Sequence, residues 1–209
     1  MTAALLTLAD SRLPAGGHTH SGGVEQAIAA GLITGPGSLA TFLRRRLVTS
    51  GAVAAGLAAA ACAGDDLAVL DAEADARTPS PALRAASRQQ GRGLVRVGRL
   101  AWPAGAWDAL PAQPHHPVAL GVAAAAGGLT PRDAARAAAY LSVSGPATAA
   151  QRLLAMDPLT VAAVTARLAP AIDAAADAAA DAGLPAATDP LLDLLAEVHA
   201  ARTDRFFAS

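Results

Sequence analysis

Apolar positions recur along this chain at three- and four-residue intervals. No stretch alternates apolar with polar as a half-buried strand would, so the pattern predicts helices throughout. Thr2–Asp10 reads as a short apolar helix, ended by the loop at Pro14, Gly16 and Gly17. Ser21 stands where a side chain caps a helix that runs to about Gly31, whose glycine ends it. Ser38 is read as the cap of a longer helix, with Leu39, Phe42, Leu43, Leu47 and Ala54 at helical spacing. Asp65–Arg77 and Pro81–Trp102 follow, the second weakened by Gly91, Gly93 and Gly98.

The proline-rich segment Pro103–Pro117 is the main irregular connection. Beyond it come a Pro117–Ala126 helix and another starting at Thr130-Pro131, with a cap followed by proline. Gly145-Pro146 predicts a brief break. Asp157-Pro158 repeats the cap-and-proline start, and a last helix runs from Thr188-Asp189-Pro190 to about Arg202. The expectation is an all-α single domain, residues 1–209, of about eight to ten helices, with no repeat period and no internal boundary.

Composition narrows the functional classes. Hydrophobic residues make up 53% of the 209 and aromatics 3%, so the core must be built from small aliphatic side chains. Every basic residue is arginine, and the net charge of -1 provides no field to attract nucleic acid or an anionic membrane. The longest apolar run, Gly51–Gly64, covers about two-thirds of a membrane span, and the N-terminus lacks the basic start of a signal peptide. A soluble, cytoplasmic protein is expected. Cys62 is the only cysteine, which excludes an internal disulfide or thiolate zinc site; its surroundings suit a small buried apolar residue.

Candidate chemistry gathers in SRLPAGGHTHSGGVEQAI, Ser11–Ile28. His18 and His20 stand two apart in a loop with no adjacent cysteine or carboxylate, an incomplete metal site within one chain. Polar contact residues, or a site shared across a symmetric dimer, are the other readings. The glycines lack the Lys-Ser/Thr ending of a phosphate loop. Glu25, one of three glutamates, lies in the first turn of its helix; a role confined to the helix dipole makes it worth roughly 0.3–1 kcal/mol.

Arg84, Arg88, Arg92 and Arg96 line one helix side, which is either a solvated face or one met by acids opposite. Asp173, Asp177 and Asp181 form a row read as solvent-facing, and His115-His116 reads as an exposed turn. No Ser/His/Asp or Cys/His set is legible, and nothing argues for an enzyme.

The stretch LPAGGHTHSGGVE resembles the N-terminal signature of the urease accessory protein UreF family, roughly Leu-Pro-Val-Gly-Gly-Phe-Ser-Tyr-Ser-His-Gly-Leu-Glu. Leu13, Pro14, Gly16, Gly17, Ser21, Gly23 and Glu25 match; His18, His20 and Gly22 depart. VALGVAAAAGGL (Val118–Leu129), AAQRLLAMDPL (Ala149–Leu159) and the closing RFFAS (Arg205–Ser209) extend the likeness.

The resemblance implies a UreF-like helical bundle that dimerises. It implies a non-catalytic scaffold and regulator of the GTPase UreG, with Glu25 tuning its GTP hydrolysis, acting with UreD (also called UreH) and urease apoprotein in nickel insertion. Nickel would transit the complex, GTP would be bound by the partner, and no cofactor would be held stably by this chain. Pro14, Gly16, Gly17, Ser21, Gly23 and Glu25 are then expected at the GTPase face, and Arg205, Phe206, Phe207 and Ser209, in the tail 203–209, at the UreD-type partner. The alternatives are a nickel carrier using His18 and His20, a metal-dependent enzyme, and a helical adaptor unrelated to urease.

Overall fold

A computed structural model describes residues 3–10 and 13–209; Thr2, Ser11 and Arg12 of the expected N-terminal helix and loop lie outside the described residues. Every regular element among the described residues is helical. In chain order they are α1 (Ala3–Leu8), α2 (Val24–Ala29), α3 (Pro36–Arg46), α4 (Ala52–Ala63), α5 (Leu67–Ala76), α6 (Pro81–Ala101), α7 (His116–Ala126), α8 (Pro131–Leu153), α9 (Pro158–Arg167), α10 (Ala169–Asp181) and α11 (Pro190–Ala201). Short 3₁₀ turns occupy Gly17–Thr19 and Gly105–Ala109, and a π-turn at Leu47–Gly51 joins α3 to α4.

The core is alanine and leucine. Helix α4 packs against α7, α8 and α10, and α7 also packs against α6. Small residues let these backbones approach closely: a Cβ built on Gly121 of α7 would stand 2.5 Å from the Ala58 carbonyl of α4. Through the π-turn, α3 and α4 form one helix of 28 residues, Pro36–Ala63, which by length and composition alone could cross a membrane. The apolar run Gly51–Gly64 therefore belongs to a longer rod than its own length suggests. Half of that rod's most apolar window is buried inside the bundle, as the central helix of a packed core requires.

Most starts fall where local chemistry puts them. Asp66, Ser80, Thr130, Asp157 and Asp189 each accept hydrogen bonds from the first-turn N–H groups of the helix that follows. Two expected caps are displaced. Ser38 stands one turn inside α3, where its hydroxyl accepts from the N–H groups of Thr34 and Gly35 at 3.0 and 3.2 Å. Ser21 lies before α2, which begins after Gly23; its hydroxyl accepts from Glu25 N at 3.4 Å.

The break expected at Gly145-Pro146 is absent, because α8 runs straight through Pro146. Proline removes the N–H that would reach the Ser142 carbonyl four residues back. Arg46 supplies the missing donor, its Nε standing 3.0 Å from that oxygen. The glycines of α6 do not interrupt it either. Gly91 faces the Pro114 carbonyl and Gly98 lies under the ring of buried Trp107, so they are places of close approach.

The arginine row of α6 does meet acids. Arg88 bridges Asp71 and Asp75 of α5 at 2.9 and 2.6 Å, while Arg92 reaches the Gln113 amide at 2.8 Å. In the aspartate row of α10, Asp173 and Asp181 are exposed but paired, Arg136 of α8 reaching Asp173 at 2.8 Å and Arg132 reaching Asp181 at 3.2 Å. Asp177 between them is half-buried, 3.5 Å from Arg132.

Candidate functional site

The signature loop and the last residues of the chain form one surface, with Glu25 at its centre. Glu25 is buried, only 4% exposed. Phe206 N–H donates to its Oε1 at 2.8 Å and Phe207 N–H to its Oε2 at 2.9 Å; His199 Nε2 lies 3.0 Å from Oε2. Burial alone would raise the Glu25 carboxyl, but the Phe206 N–H, His199 and the Phe207 N–H more than offset it, and the group sits below the usual glutamate range. The first-turn position thus serves more than a dipole: the carboxylate is a cap for the tail's backbone.

Around Glu25 the two segments are stitched together. Ala208 N–H donates to the Thr19 carbonyl at 2.8 Å and Ser21 N–H to the Ser209 carbonyl at 2.5 Å. His20 is buried, with Nδ1 2.6 Å from the Ser209 hydroxyl. Arg202, which ends α11, donates to Gln26 Oε1 at 3.1 Å. The two adjacent phenylalanines of the tail divide. Phe206 is 87% exposed although its backbone is pinned, while Phe207 is half-buried.

The remaining signature residues divide. Pro14 and Gly17 are exposed, Gly16 is half-buried and Gly23 precedes α2. Gly22, where the family pattern often has histidine, has φ +61°, and an added Cβ would stand 2.8 Å from Pro146 Cγ and 3.2 Å from Arg46 Cζ. Here the backbone lies directly on the guanidinium, and Arg46 Nη1 donates to the Gly22 carbonyl at 2.9 Å. His18 is exposed while His20 points inward to Ser209, so the two imidazoles do different things. Among the described residues no three histidine, cysteine or carboxylate side chains gather as metal ligands would.

Three features escaped the sequence reading. His199 belongs to the buried stripe Leu192, Leu195, Ala196, His199; a lone imidazole on the apolar face of α11 was the available signal for a buried acid partner. His115 is buried, not in an exposed turn. Its Nε2 lies 2.8 Å from Asp75 and its Nδ1 3.0 Å from the Ser87 hydroxyl. Ser87 also accepts from His116 N–H at 3.2 Å, and Asp75 is shared with Arg88, so this Ser/His/Asp string ties α5, α6 and α7 together.

The third feature is a pair of clefts, of about 190 and 450 Å³, whose shared lining is His20, Gly22, Arg46, Gln90 and His116. Burial, with the neighbouring His18, pushes His20 down to about 4; burial, with His20, does the same to His116. Cys62 is half-buried, its thiol pushed up to about 11 by burial, which leaves it protonated and unreactive.

Comparison with known proteins follows the same path. The family model for UreF matches residues 33–169. The chain is 55% identical over 211 residues to a urease accessory protein UreF from Mycolicibacterium vanbaalenii, with 99% of this chain and 98% of that one covered. It is 56% identical over 209 residues to a protein of the same name from Mycobacterium marinum, at 99% and 98% coverage. A third, from Mycobacterium bovis, is 51% identical at the same coverage.

Proposed function

Because the chain belongs to the UreF family, we propose that it serves urease maturation as a non-catalytic scaffold. In this reading it pairs with a UreD (UreH) protein, engages the GTPase UreG, and docks that assembly on urease apoprotein in the cytoplasm. Nickel is the cargo of the complex, and GTP belongs to the partner. The observation that carries the reading is the extent of the likeness, nearly end to end against proteins named as urease accessory protein UreF.

The geometry supports a division of labour within one surface. Phe206 offers an exposed aromatic anchor on a backbone already fixed, the kind of residue that dominates binding energy at interfaces. Pro14, Gly16 and Gly17 lie in the same stitched unit and suit the GTPase face. Glu25, being buried, acts on either partner only through the tail and loop it holds, as a positioning residue. Homodimerisation is part of the same proposal.

The test is reconstitution. Purified chain, UreD, UreG and urease apoprotein, with nickel and GTP, should yield active urease, and omission of this chain should abolish activation. Equal activation without it would defeat the reading. Equilibrium dialysis of the isolated chain against nickel separates the scaffold from a carrier using His18 and His20, which predicts tight binding lost in His18→Ala.

A further inference from the structure

A guanidinium half-buried in a fold is often met by a carboxylate, because desolvating a lone charge is costly. Arg46 departs from this. Its Nε and Nη1 donate to two neutral carbonyls, those of Ser142 and Gly22, and it forms no ion pair among the described residues. Desolvation lowers it to about 10. Its Nη2 has no hydrogen-bond partner among the described residues and is open to solvent.

What surrounds it is also unspent. Gln90, on α6, makes no side-chain hydrogen bond among the described residues, and neither does the half-buried imidazole of His116 at the start of α7. His20 uses only Nδ1, on Ser209. These residues come from the signature loop, α3, α6 and α7, and converge on the lining shared by the two clefts. Three carboxylates also line the clefts, and each is engaged away from Arg46: Asp189 by Arg45, Asp193 by the Ser80 N–H, and Asp10 by a partner of its own.

We propose that this cleft binds a small oxyanion of the carboxylate or phosphate class. Arg46 Nη2 and the Gln90 amide would donate to its oxygens, and one N–H from each neutral imidazole would complete the shell. A divalent cation held by His20 and His116 alone fits less well, since it would sit beside a fixed positive charge with too few ligands.

The test uses the full chain at constant ionic strength, with chloride as the balancing salt. Inorganic phosphate and acetate are titrated separately by calorimetry and by melting temperature, with nickel chloride as a third arm. Saturable binding of phosphate, acetate or both is expected, and whichever binds fixes the class. Gln90→Leu removes no hydrogen bond from the fold and should weaken that binding at least tenfold while leaving the circular dichroism unchanged; His116→Phe should do the same. Arg167→Gln, on the exposed end of α9, should bind like the parent. Non-saturable stabilisation, equal binding in the Gln90 and His116 variants, or saturable nickel binding without any anion binding would each overturn the proposal.

Discussion

Glu25 accepts from two tail N–H groups and faces His199 at a site almost closed to water. Glu25→Ala would leave those donors without an acceptor. Hydrogen bonds to a buried charge are worth about 1.5–3 kcal/mol each, so the loss should exceed the roughly 0.3–1 kcal/mol of a helix-dipole role. A fall in melting temperature of at least about 4 °C is expected, with hydrogen exchange at Phe206 and Phe207 rising to the rate of an open chain. Glu25→Gln, which keeps an acceptor oxygen, should lose less. A melting temperature within a degree of the parent's, with slow exchange at both amides, would show the carboxylate to be only a helix-start charge.

Acid should act in two phases. His20 and His116 titrate near 4 in the fold against 6.5 in an open chain, so the unfolded state binds more protons between those values. Stability therefore falls as pH drops from about 6.5 to about 4, then stops falling on their account. Glu25 has the opposite charge type and a lowered value: its contribution is present above about 4.5 and is lost as pH falls through its folded value. Urea midpoints from pH 7.5 to 3 should show a slope in the upper range that His116→Phe reduces. An identical slope in that variant would remove His116 from the account.

At the scale of elements, what the sequence made legible was local. Asp157 and Thr130 cap helices through donors two or three residues away, so a short window contained the whole interaction. Pro146 misled because its remedy lies 100 positions away: Arg46, at the end of α3, takes over the Ser142 carbonyl. A double-mutant cycle reads that compensation directly. Arg46→Met should cost about 2–4 kcal/mol, from two orphaned carbonyls and a lost close contact. In a Pro146→Ala background the helix regains its own N–H to Ser142, and the cost of Arg46→Met should drop by about 1 kcal/mol or more. Strict additivity would disprove the coupling.

Gly91 makes a similar point about α6. Alanine is the better helix former by about 1 kcal/mol, but an added Cβ would lie 2.0 Å from the Pro114 carbonyl, a backbone atom with little room to move. Gly91→Ala should therefore lower the melting temperature in spite of its propensity. Equal or higher stability would mean that α6 and the segment before α7 can separate freely.

For the whole molecule, the all-helical class and most helix positions followed from caps and periodicity. The unit formed by the signature loop and the tail did not, since Glu25 and its tail partners are separated by more than 170 residues. The family resemblance marked both segments without showing that they touch. Their contact alters what a deletion means. Removing Arg205–Ser209 should abolish the proposed pairing with a UreD-type protein and leave the far-ultraviolet helical signal in place, but it also uncovers Glu25 and the loop. Comparison with Phe206→Ala, which keeps every backbone hydrogen bond, separates a lost anchor from a loosened scaffold in the same co-purification assay. Undiminished pairing by the truncated chain would place the partner's contacts elsewhere.

The stitching of Ala208 to Thr19 and of Ser209 to Ser21 also sets an order of events during translation. The ribosome makes the loop well before its clasp, since Glu25 and Phe206 are 181 residues apart. A nascent chain can assemble α2 to α10 while still tethered, yet Glu25 must wait, uncapped, until residues 206 and 207 have cleared the exit tunnel. A chain cut short before residue 206 would thus display an unclasped loop, so a partner that reads the clasped surface would discriminate against such copies without any separate inspection step.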